Sequence, residues 1–148
     1  MILDTNEIQK ILPHRFPFLM VDRIVELEEG RRVVGIKNVK TDEFWVPGHF
    51  PGHPLMPGVL ILEALAQTGG VLVLFSTEQR ESKLLLFAGV EEGRFRRPVS
   101  PGDELRLECE VLHRRPSAWK MRGRALVDGK VVAEGVVLCT IADRPPTS

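Results

Sequence analysis

The stretch Gly48–Gln67, GHFPGHPLMPGVLILEALAQ, divides into a loop and the start of a helix. Residues 48–58 contain three prolines and three glycines, the strongest local breakers of regular structure. From Val59 to Phe75 apolar side chains recur on every side, so the sequence predicts a long helix that is buried all round. We expect the rest of the chain to fold around this helix.

Two polar side chains, Glu63 and Gln67, interrupt the apolar helix. They are four residues apart and therefore lie on one helical face. An ionised carboxylate in apolar surroundings is unfavourable unless it is paired or protonated. Because Glu63 follows a rigid loop that carries His49 and His53, this combination indicates a functional site.

Length and charge narrow the class of protein. The chain has 148 residues, which fits one domain, 1–148, with a core of its own. Twenty Lys and Arg balance twenty Asp and Glu, so no global charge favours nucleic acid or a membrane surface. We expect residues 59–75 to fall short of a membrane span, because Glu63, Gln67 and two glycines interrupt them. The N-terminus lacks the pattern of a secretory signal, which favours a cytoplasmic protein.

The two cysteines, Cys109 and Cys139, each lie in a strand-like run and have no metal-type spacing with histidine. They are expected to be free, buried thiols in a reducing cytosol. No other set of metal ligands is recognisable. We therefore expect neither a metal nor an organic cofactor.

Around the long helix the sequence predicts one short helix and about six strands. Asp4–Leu12 has an apolar stripe, a possible N-cap at its start and Pro13 after it, which is typical of a short amphipathic helix. Residues 84–90 are apolar on both faces and are expected to form a central strand. Residues 143–148 are expected to be a disordered tail. The strand candidates are residues 19–27, 31–39, 84–90, 103–113, 119–127 and 131–141.

Most of these strands follow one another through short connections, which favours antiparallel pairing. The simplest architecture is an α+β fold in which a curved antiparallel sheet wraps around one long apolar helix. An open sheet has edge strands, and such edges are usually covered or paired. We therefore expect the chain to form at least a homodimer.

Four segments together carry a family resemblance: LPHRFPFLMVDR (12–23), GHFPGHPLMPG (48–58), EALAQ (63–67) and FRRPVSPGD (95–103). In this order they resemble the (3R)-3-hydroxyacyl-(acyl-carrier-protein) dehydratases of bacterial fatty-acid synthesis, the FabZ type. The resemblance covers nearly the whole chain without insertions and implies the hotdog fold. These enzymes remove water from a 3-hydroxyacyl thioester and produce a trans-2-enoyl thioester.

The resemblance also implies roles for individual residues. His49 is expected to be the base and Glu63 the acid, contributed by different protomers of a dimer. The family commonly assembles such dimers further into hexamers, as trimers of dimers. The implied partner is an acyl carrier protein that carries the substrate on a phosphopantetheine arm.

The residue types suit this chemistry. Neutral imidazole at His49 can remove the weakly acidic proton next to a thioester carbonyl. Gly58, at the helix start, offers a free backbone N–H and the positive end of the helix dipole to the carbonyl oxygen. Desolvation should raise the pKa of Glu63, so that it can protonate the leaving hydroxyl. Gln67 is expected to buttress the site by hydrogen bonds, and His53 to fix the loop.

Other readings stay open on sequence alone. His49 can be a structural loop histidine, and Glu63 can be a carboxylate bonded to loop amides. A thioesterase on the same fold needs a carboxylate that directs water, without a paired histidine. A non-catalytic module that only binds the carrier does not require His49, Gly58 and Glu63 to be intact, so the presence of all three argues against it. A related isomerising dehydratase carries aspartate where this chain has Glu63, which argues against isomerisation.

Two further expectations concern the substrate path. The chain has no tyrosine, so a gate over the substrate tunnel would have to use Phe or Leu. A group of arginines is interpreted first as solvated strand faces and loops, although some could contact an acidic carrier protein. These are Arg94, Arg96, Arg97, Arg114, Arg115, Arg122 and Arg124.

Overall fold

The fold is that of a computed structural model, which describes residues 2–145. One short helix, α1, precedes the first hairpin, and one long helix, α2, separates that hairpin from four further strands. The elements are α1 (Thr5–Gln9), β1 (Arg23–Glu28), β2 (Arg32–Asn38), α2 (Gly58–Phe75), a 3₁₀ turn (Arg80–Ser82), β3 (Lys83–Phe95), β4 (Glu104–Arg115), β5 (Ala118–Val127) and β6 (Lys130–Asp143).

The six strands form one antiparallel sheet in the order β1-β2-β4-β5-β6-β3. Helix α2 packs against all six strands, and the core lies between the helix and the sheet. This arrangement confirms the predicted α+β architecture, in which an antiparallel sheet surrounds one apolar helix.

Local sequence explains the central hairpins. In β4 the alternating residues Leu105, Leu107 and Cys109 are buried, as the period of two predicts. Strands β5 and β6 meet at Asp128 and Gly129, whose φ angles of 50° and 78° are both left-handed. A two-residue hairpin turn of this type requires positive φ at both positions, which Asp-Gly tolerates.

Helix α2 differs from its prediction at its first turns. Every residue from Ala64 to Leu74 is buried, but Val59 is 70% exposed, so the expectation of a helix buried all round is wrong at this end. The expectation that Glu63, Gln67 and two glycines make this segment fall short of a membrane span does not hold for length and composition alone. With 18 residues and a mean hydropathy of 1.9, α2 could cross a membrane by length and composition. Because 67% of it is buried inside the fold, α2 is the core helix.

Strand β3 is not the central strand that was expected of residues 84–90. It is the last strand of the sheet and pairs with β6 alone among the described strands. Three of its apolar side chains, Leu86, Phe87 and Val90, are 51%, 38% and 51% exposed. A run that is apolar on both faces signals burial, and a second chain over an edge can provide that burial as well as neighbouring strands can.

The chain termini also refine the predictions. Helix α1 is shorter than Asp4–Leu12, and Asp4 caps it in a reciprocal pair of hydrogen bonds with Glu7. At the other end, β6 runs to Asp143, and the Arg144 N–H donates to the Ser82 carbonyl at 2.8 Å. Residues 146–148 of the predicted tail lie outside the described residues, so its disorder stays a prediction.

Both cysteines are free and buried, as predicted. The Cys109 thiol donates to the Leu65 carbonyl of α2 at 3.2 Å. Burial raises the pKa of each thiol to about 12, so neither Cys109 nor Cys139 forms a thiolate at neutral pH. Their contribution is therefore to core packing.

Candidate active site

His49 is held by three hydrogen bonds to the backbone of its own loop. Its N–H donates to the Trp45 carbonyl at 3.0 Å, and its carbonyl accepts from the Leu55 N–H at 2.8 Å. Its ring Nδ1 lies 2.7 Å from the Leu55 carbonyl oxygen. Because a carbonyl oxygen only accepts, Nδ1 must carry the proton in this bond. The neutral ring therefore keeps an unprotonated Nε2, which can act as a base.

A short turn after His49 keeps the imidazole in this position. The rings of His49 and Phe50 are stacked, with centroids 4.1 Å apart. Phe50 and His53 exchange backbone hydrogen bonds of 3.0 and 2.8 Å, which closes the turn. The His53 side chain itself is exposed. His53 thus contributes to the turn through its backbone, and the loop-fixing role expected of it stays a prediction.

Gly58 is the first residue of α2 and lines the same cavity as His49. Pro57 is the N-cap residue, and no side-chain cap is present among the described residues. The first N–H groups of a helix have no partner within the helix and carry its positive dipole end. An anionic oxygen at this position can therefore accept a hydrogen bond from the backbone without competing with a cap.

His49 and Gly58 line the same cavity, which has a volume of about 540 Å³. Its walls are mostly apolar, and two arginines add positive charge to them. This combination suits a ligand with an apolar body and an anionic group. The other lining residues are Leu55, Met56, Pro57, Val59, Ile61, Phe95, Arg96, Arg97 and Pro98.

The Phe95 ring covers the Gly58 backbone. A Cβ atom at residue 58 would lie 2.6 Å from two carbons of this ring, closer than van der Waals contact permits. Phe95 is nevertheless 56% exposed, so the ring is part of the cavity wall rather than of the core. Glycine at this position therefore allows both the ring and a substrate to approach the helix N-terminus.

Glu63 lies on α2 but not in the lining of the His49 cavity within the described chain. Glu63 is five residues after Gly58, so the two residues point about 140° apart around the helix axis. Burial raises the pKa of its carboxyl, and a hydrogen bond from the Gln67 side chain opposes part of that rise. The carboxyl thus keeps its proton to a higher pH than an ordinary glutamate, as the sequence predicts from desolvation.

One face of α2 becomes uncovered towards its N-terminus. Val59, Glu63 and Gln67 are spaced four residues apart and lie along the same face. Gln67 is fully buried, Glu63 is half-buried, and Val59 is 70% exposed. The carboxyl of Glu63 therefore lies at the boundary between the core and an open apolar surface.

Gln67 joins α2 to the first of the four signature segments. Its Oε1 accepts from the Met20 N–H at 2.7 Å, and its Nε2 donates to the Phe18 carbonyl at 2.8 Å. These two bonds fix the orientation of the amide, and the second Nε2 hydrogen remains for the Glu63 carboxyl. Such bonds can hold the amide rigid beside Glu63, and the buttressing role expected of Gln67 stays a prediction.

The sequence-predicted residues thus fall into two groups, with His49 and Gly58 at the cavity and Glu63 with Gln67 on the neighbouring helix face. Sequence reasoning missed the contacts of Leu55 and Phe95. Phe95 belongs to a quoted motif, but nothing in that motif shows that its ring covers a glycine. Within residues 2–145, no group of three or more His, Cys, Asp or Glu side chains could hold a metal ion, and the expectation of no metal stays a prediction.

Comparison with known proteins identifies the family of the chain. Residues 12–136 match the family model of the FabA-like domain. A 3-hydroxyacyl-[acyl-carrier-protein] dehydratase FabZ of Solibacter usitatus is 56% identical, over 99% of this chain and 92% of the relative. The chain belongs to the FabZ dehydratase family. FabZ proteins of Koribacter versatilis and Geobacillus thermodenitrificans are 51% and 53% identical, over 97% of this chain and 92% and 99% of their own length.

Solved structures with the same fold are more distant in sequence. The dehydratase heterocomplex ApeI:P from Xenorhabdus doucetiae gives a TM-score of 0.79 at 20% identity, over 93% of this chain and 91% of that chain. Cj0977, a sigma28-regulated virulence protein from Campylobacter jejuni, gives a TM-score of 0.71 at 17% identity, over 94% and 90%. At these identities the likeness establishes the hotdog fold of FabZ and no more.

Proposed function

We propose that the chain converts (3R)-3-hydroxyacyl-ACP to trans-2-enoyl-ACP and water in type II fatty-acid synthesis, with His49 as base and Glu63 as acid. Dehydration of 3-hydroxyacyl-ACP is the activity of the family to which the chain belongs. The observation that carries the proposal is the bond between His49 Nδ1 and the Leu55 carbonyl, which leaves Nε2 free in the neutral ring, in an apolar cavity shared with the uncapped N-terminus of α2.

The reaction divides between three groups. His49 Nε2 removes a proton from C2 of the substrate, and the electron pair of that bond moves towards the thioester carbonyl. The Gly58 N–H donates to the oxygen on which negative charge develops. The C2–C3 double bond then forms as the C3–O bond breaks, and Glu63 gives its proton to the departing hydroxyl, which leaves as water. Transfer of a proton from the imidazolium of His49 to the carboxylate of Glu63 restores both groups.

The electrostatics of Glu63 support its part in this scheme. A general acid must hold its proton near the operating pH, and an ordinary glutamate does not. Burial raises the pKa of Glu63 in the required direction. The Gln67 amide, which is held by its bonds to Phe18 and Met20, also fixes the orientation of the Glu63 carboxyl.

The reaction needs His49 and Glu63 close together, and we propose that two copies of the chain provide them. Within one chain, Glu63 lies outside the His49 cavity, on a helix face that is open at Val59. The edge strand β3 of the same chain also exposes apolar side chains. A homodimer that covers both surfaces would place Glu63 of one protomer at the cavity of the other. Assembly of three such dimers into a hexamer is implied by the family resemblance.

The carrier protein is the proposed macromolecular partner. A phosphopantetheine arm contains an anionic phosphate, and the carrier itself is acidic. Arg96 and Arg97 supply positive charge at the cavity, although Arg96 also pairs with Glu134 at 3.1 Å. The acyl chain would occupy the apolar part of the cavity. We place this activity in the cytoplasm, with no nucleic acid and no membrane as partner.

The test is mass spectrometry of 3-hydroxybutyryl carrier protein after incubation with the wild-type protein or with His49→Ala. The proposal expects a carrier species lighter by one water with the wild type and a loss of that product with the variant. Free acid together with bare carrier would show a thioesterase instead. An unchanged carrier that co-elutes with the protein would show a binding module, and either result contradicts the proposal.

A further inference from the structure

A buried ion pair lies behind the His49 loop. Lys37 of β2 and Glu43 of the following loop approach to 2.8 Å, with side chains only 7% and 14% exposed. Lys37 is the only charged residue that is fully buried within residues 2–145. Removing two charges from water is expensive, and their mutual attraction often fails to compensate for the loss of hydration. A role in overall stability therefore explains this pair poorly.

The carboxylate of Glu43 organises the segment that leads to His49. Its Oε2 accepts from the Lys40 N–H at 2.8 Å, and its Oε1 lies 3.4 Å from the indole Nε1 of Trp45. Its backbone carbonyl accepts from the Val46 N–H at 3.1 Å. Glu43 thus bonds both ends of the segment 40–46, through its side chain at Lys40 and its backbone carbonyl at Val46, and its carboxylate connects the segment to the sheet through Lys37.

The same segment carries the backbone contact that positions His49. Trp45 is 5% exposed, and its carbonyl accepts from the N–H groups of both Gly48 and His49, at 3.2 and 3.0 Å. Trp45 therefore links the ion pair to His49, because its indole contacts Glu43 and its carbonyl holds the His49 N–H. On the other side, Lys37 belongs to β2, which is hydrogen-bonded to β1 and β4 and cannot easily shift.

We propose that the Lys37–Glu43 pair is a positioning device for His49, which anchors the loop before it to β2. The inference rests on the proposed function of His49 as the base. A base that is displaced by about 1 Å from its substrate loses on the order of 10²-fold in rate. Positioning from a rigid strand explains why two charges are kept in the interior at this point.

The decisive variant is Lys37→Met/Glu43→Leu, which removes the pair without leaving one buried charge alone. Such replacements are often neutral or stabilising for the fold. The proposal expects kcat to fall about 10- to 100-fold with little change in KM. Amide hydrogen exchange should accelerate at least about tenfold at His49 and Gly48, because their acceptor on Trp45 is no longer held.

A conservative variant separates positioning from general disruption. Lys37→Gln/Glu43→Gln also lacks the charges, but the two amides can still bond each other, and the amide oxygen at position 43 can accept from Trp45 Nε1 or the Lys40 N–H. It should recover most of the lost kcat and of the amide protection. The matched control is Glu28→Leu, which removes the exposed pair with Arg31 (3.1 Å). This control lies next to the turn that contacts Ser76, at the other end of α2, and should change neither quantity.

Wild-type kcat together with wild-type protection of the His49 amide in Lys37→Met/Glu43→Leu would overturn the proposal. A lower kcat with unchanged protection would overturn it too. If that variant does not fold, Lys37→Met/Glu43→Ala, which removes the same ion pair and the same hydrogen bonds, is subject to the same two criteria. His49→Ala, measured in parallel, separates the test of the base from the test of the ion pair. Full activity of His49→Ala would refute the proposed role of His49 as base. The hydrogen-exchange rates would still decide whether the Lys37–Glu43 pair holds the loop.

Discussion

Residues 64–74 of α2 are buried on every side, whereas Val59, one turn before them, is 70% exposed. The two parts of the helix have similar apolar composition, so composition does not distinguish them. The later part touches the sheet and forms the core. The first turns border a cavity and an open face, and they carry Gly58 and Glu63 at these boundaries.

The glycines of α2 also differ between the buried part and the first turns, in the surroundings of the atoms that a Cβ would meet. A Cβ atom on Gly69 would lie 2.7 Å from the Met121 Cε, and one on Gly70 would lie 2.6 Å from the Leu85 Cδ2. Gly58 meets the Phe95 ring at an equal 2.6 Å, but that ring is 56% exposed. At Gly69 and Gly70, the lack of a side chain thus allows the core to pack closely against α2. At Gly58, it leaves room for access to the backbone N–H. Changes at the two parts should separate stability from activity.

The largest effect on activity is expected for Glu63→Gln. Loss of the general acid should lower kcat by about 10²–10⁴-fold, while the amide keeps the size of the carboxyl and removes a half-buried ionisable group. The melting temperature should therefore stay close to that of the wild type. Steady-state kinetics on 3-hydroxyacyl carrier and calorimetry measure the two quantities. A large loss of stability would show that Glu63 is chiefly structural.

The largest effect on stability is expected for Leu72→Ala in the buried part. Leu72 is fully buried, and removal of such a side chain costs about 2–5 kcal/mol of unfolding free energy. The kcat of the folded fraction should not change, because Leu72 lies away from the cavity. Denaturant titration gives the free energy, with Leu72→Met as a control of nearly equal volume. A loss of kcat in folded protein would contradict the division of the helix.

A smaller effect is expected for Gly58→Ala at the cavity. The new methyl group must displace the Phe95 ring and narrow the approach to the helix N-terminus. We expect kcat/KM to fall about tenfold or more, with the ~10²–10³ that complete loss of one oxyanion donor costs as the upper limit. Stability should change by less than about 1 kcal/mol, because the exposed ring can move. Unchanged kcat/KM would exclude Gly58 from contact with the substrate.

The smallest expected effect is a dependence of stability on pH at Glu63. Its folded-state pKa is raised, so its protonated carboxyl favours the fold below the unfolded pKa. That contribution is lost as the pH rises through the folded-state pKa. Relative to Glu63→Gln, the wild type should therefore lose melting temperature as the pH rises above the ordinary glutamate pKa of 4.5. Parallel melting curves would contradict a raised pKa.

Much of this fold follows from local patterns. The alternation in β4, the Asp128–Gly129 turn and the apolar run of α2 each specify an element without reference to the rest of the chain. The position of β3 does not follow, because its two-sided apolar pattern fits either a central strand or an edge that another chain covers. Strand order is decided by tertiary packing, which a single segment does not encode.

The candidate site, too, was predictable from the sequence only in part. His49, Gly58 and Glu63 were recognisable because their side chains, or the lack of one, are chemically unusual in their segments. The Leu55 carbonyl that fixes the imidazole is a backbone group and leaves no sequence signal. Phe95 reaches Gly58 from a strand whose register shifts between Glu91 and Arg94, and such an irregularity is not visible in the residue pattern.

The central claim is that the open first turns of α2 complete a site on a second chain. It is tested most directly by co-expression of His49→Ala and Glu63→Gln with different tags. Each variant alone is expected to be inactive. A heterodimer of the two contains one site with both groups intact, and should recover about half of the wild-type activity per dimer. No recovery in purified heterodimers would contradict a site that two chains share.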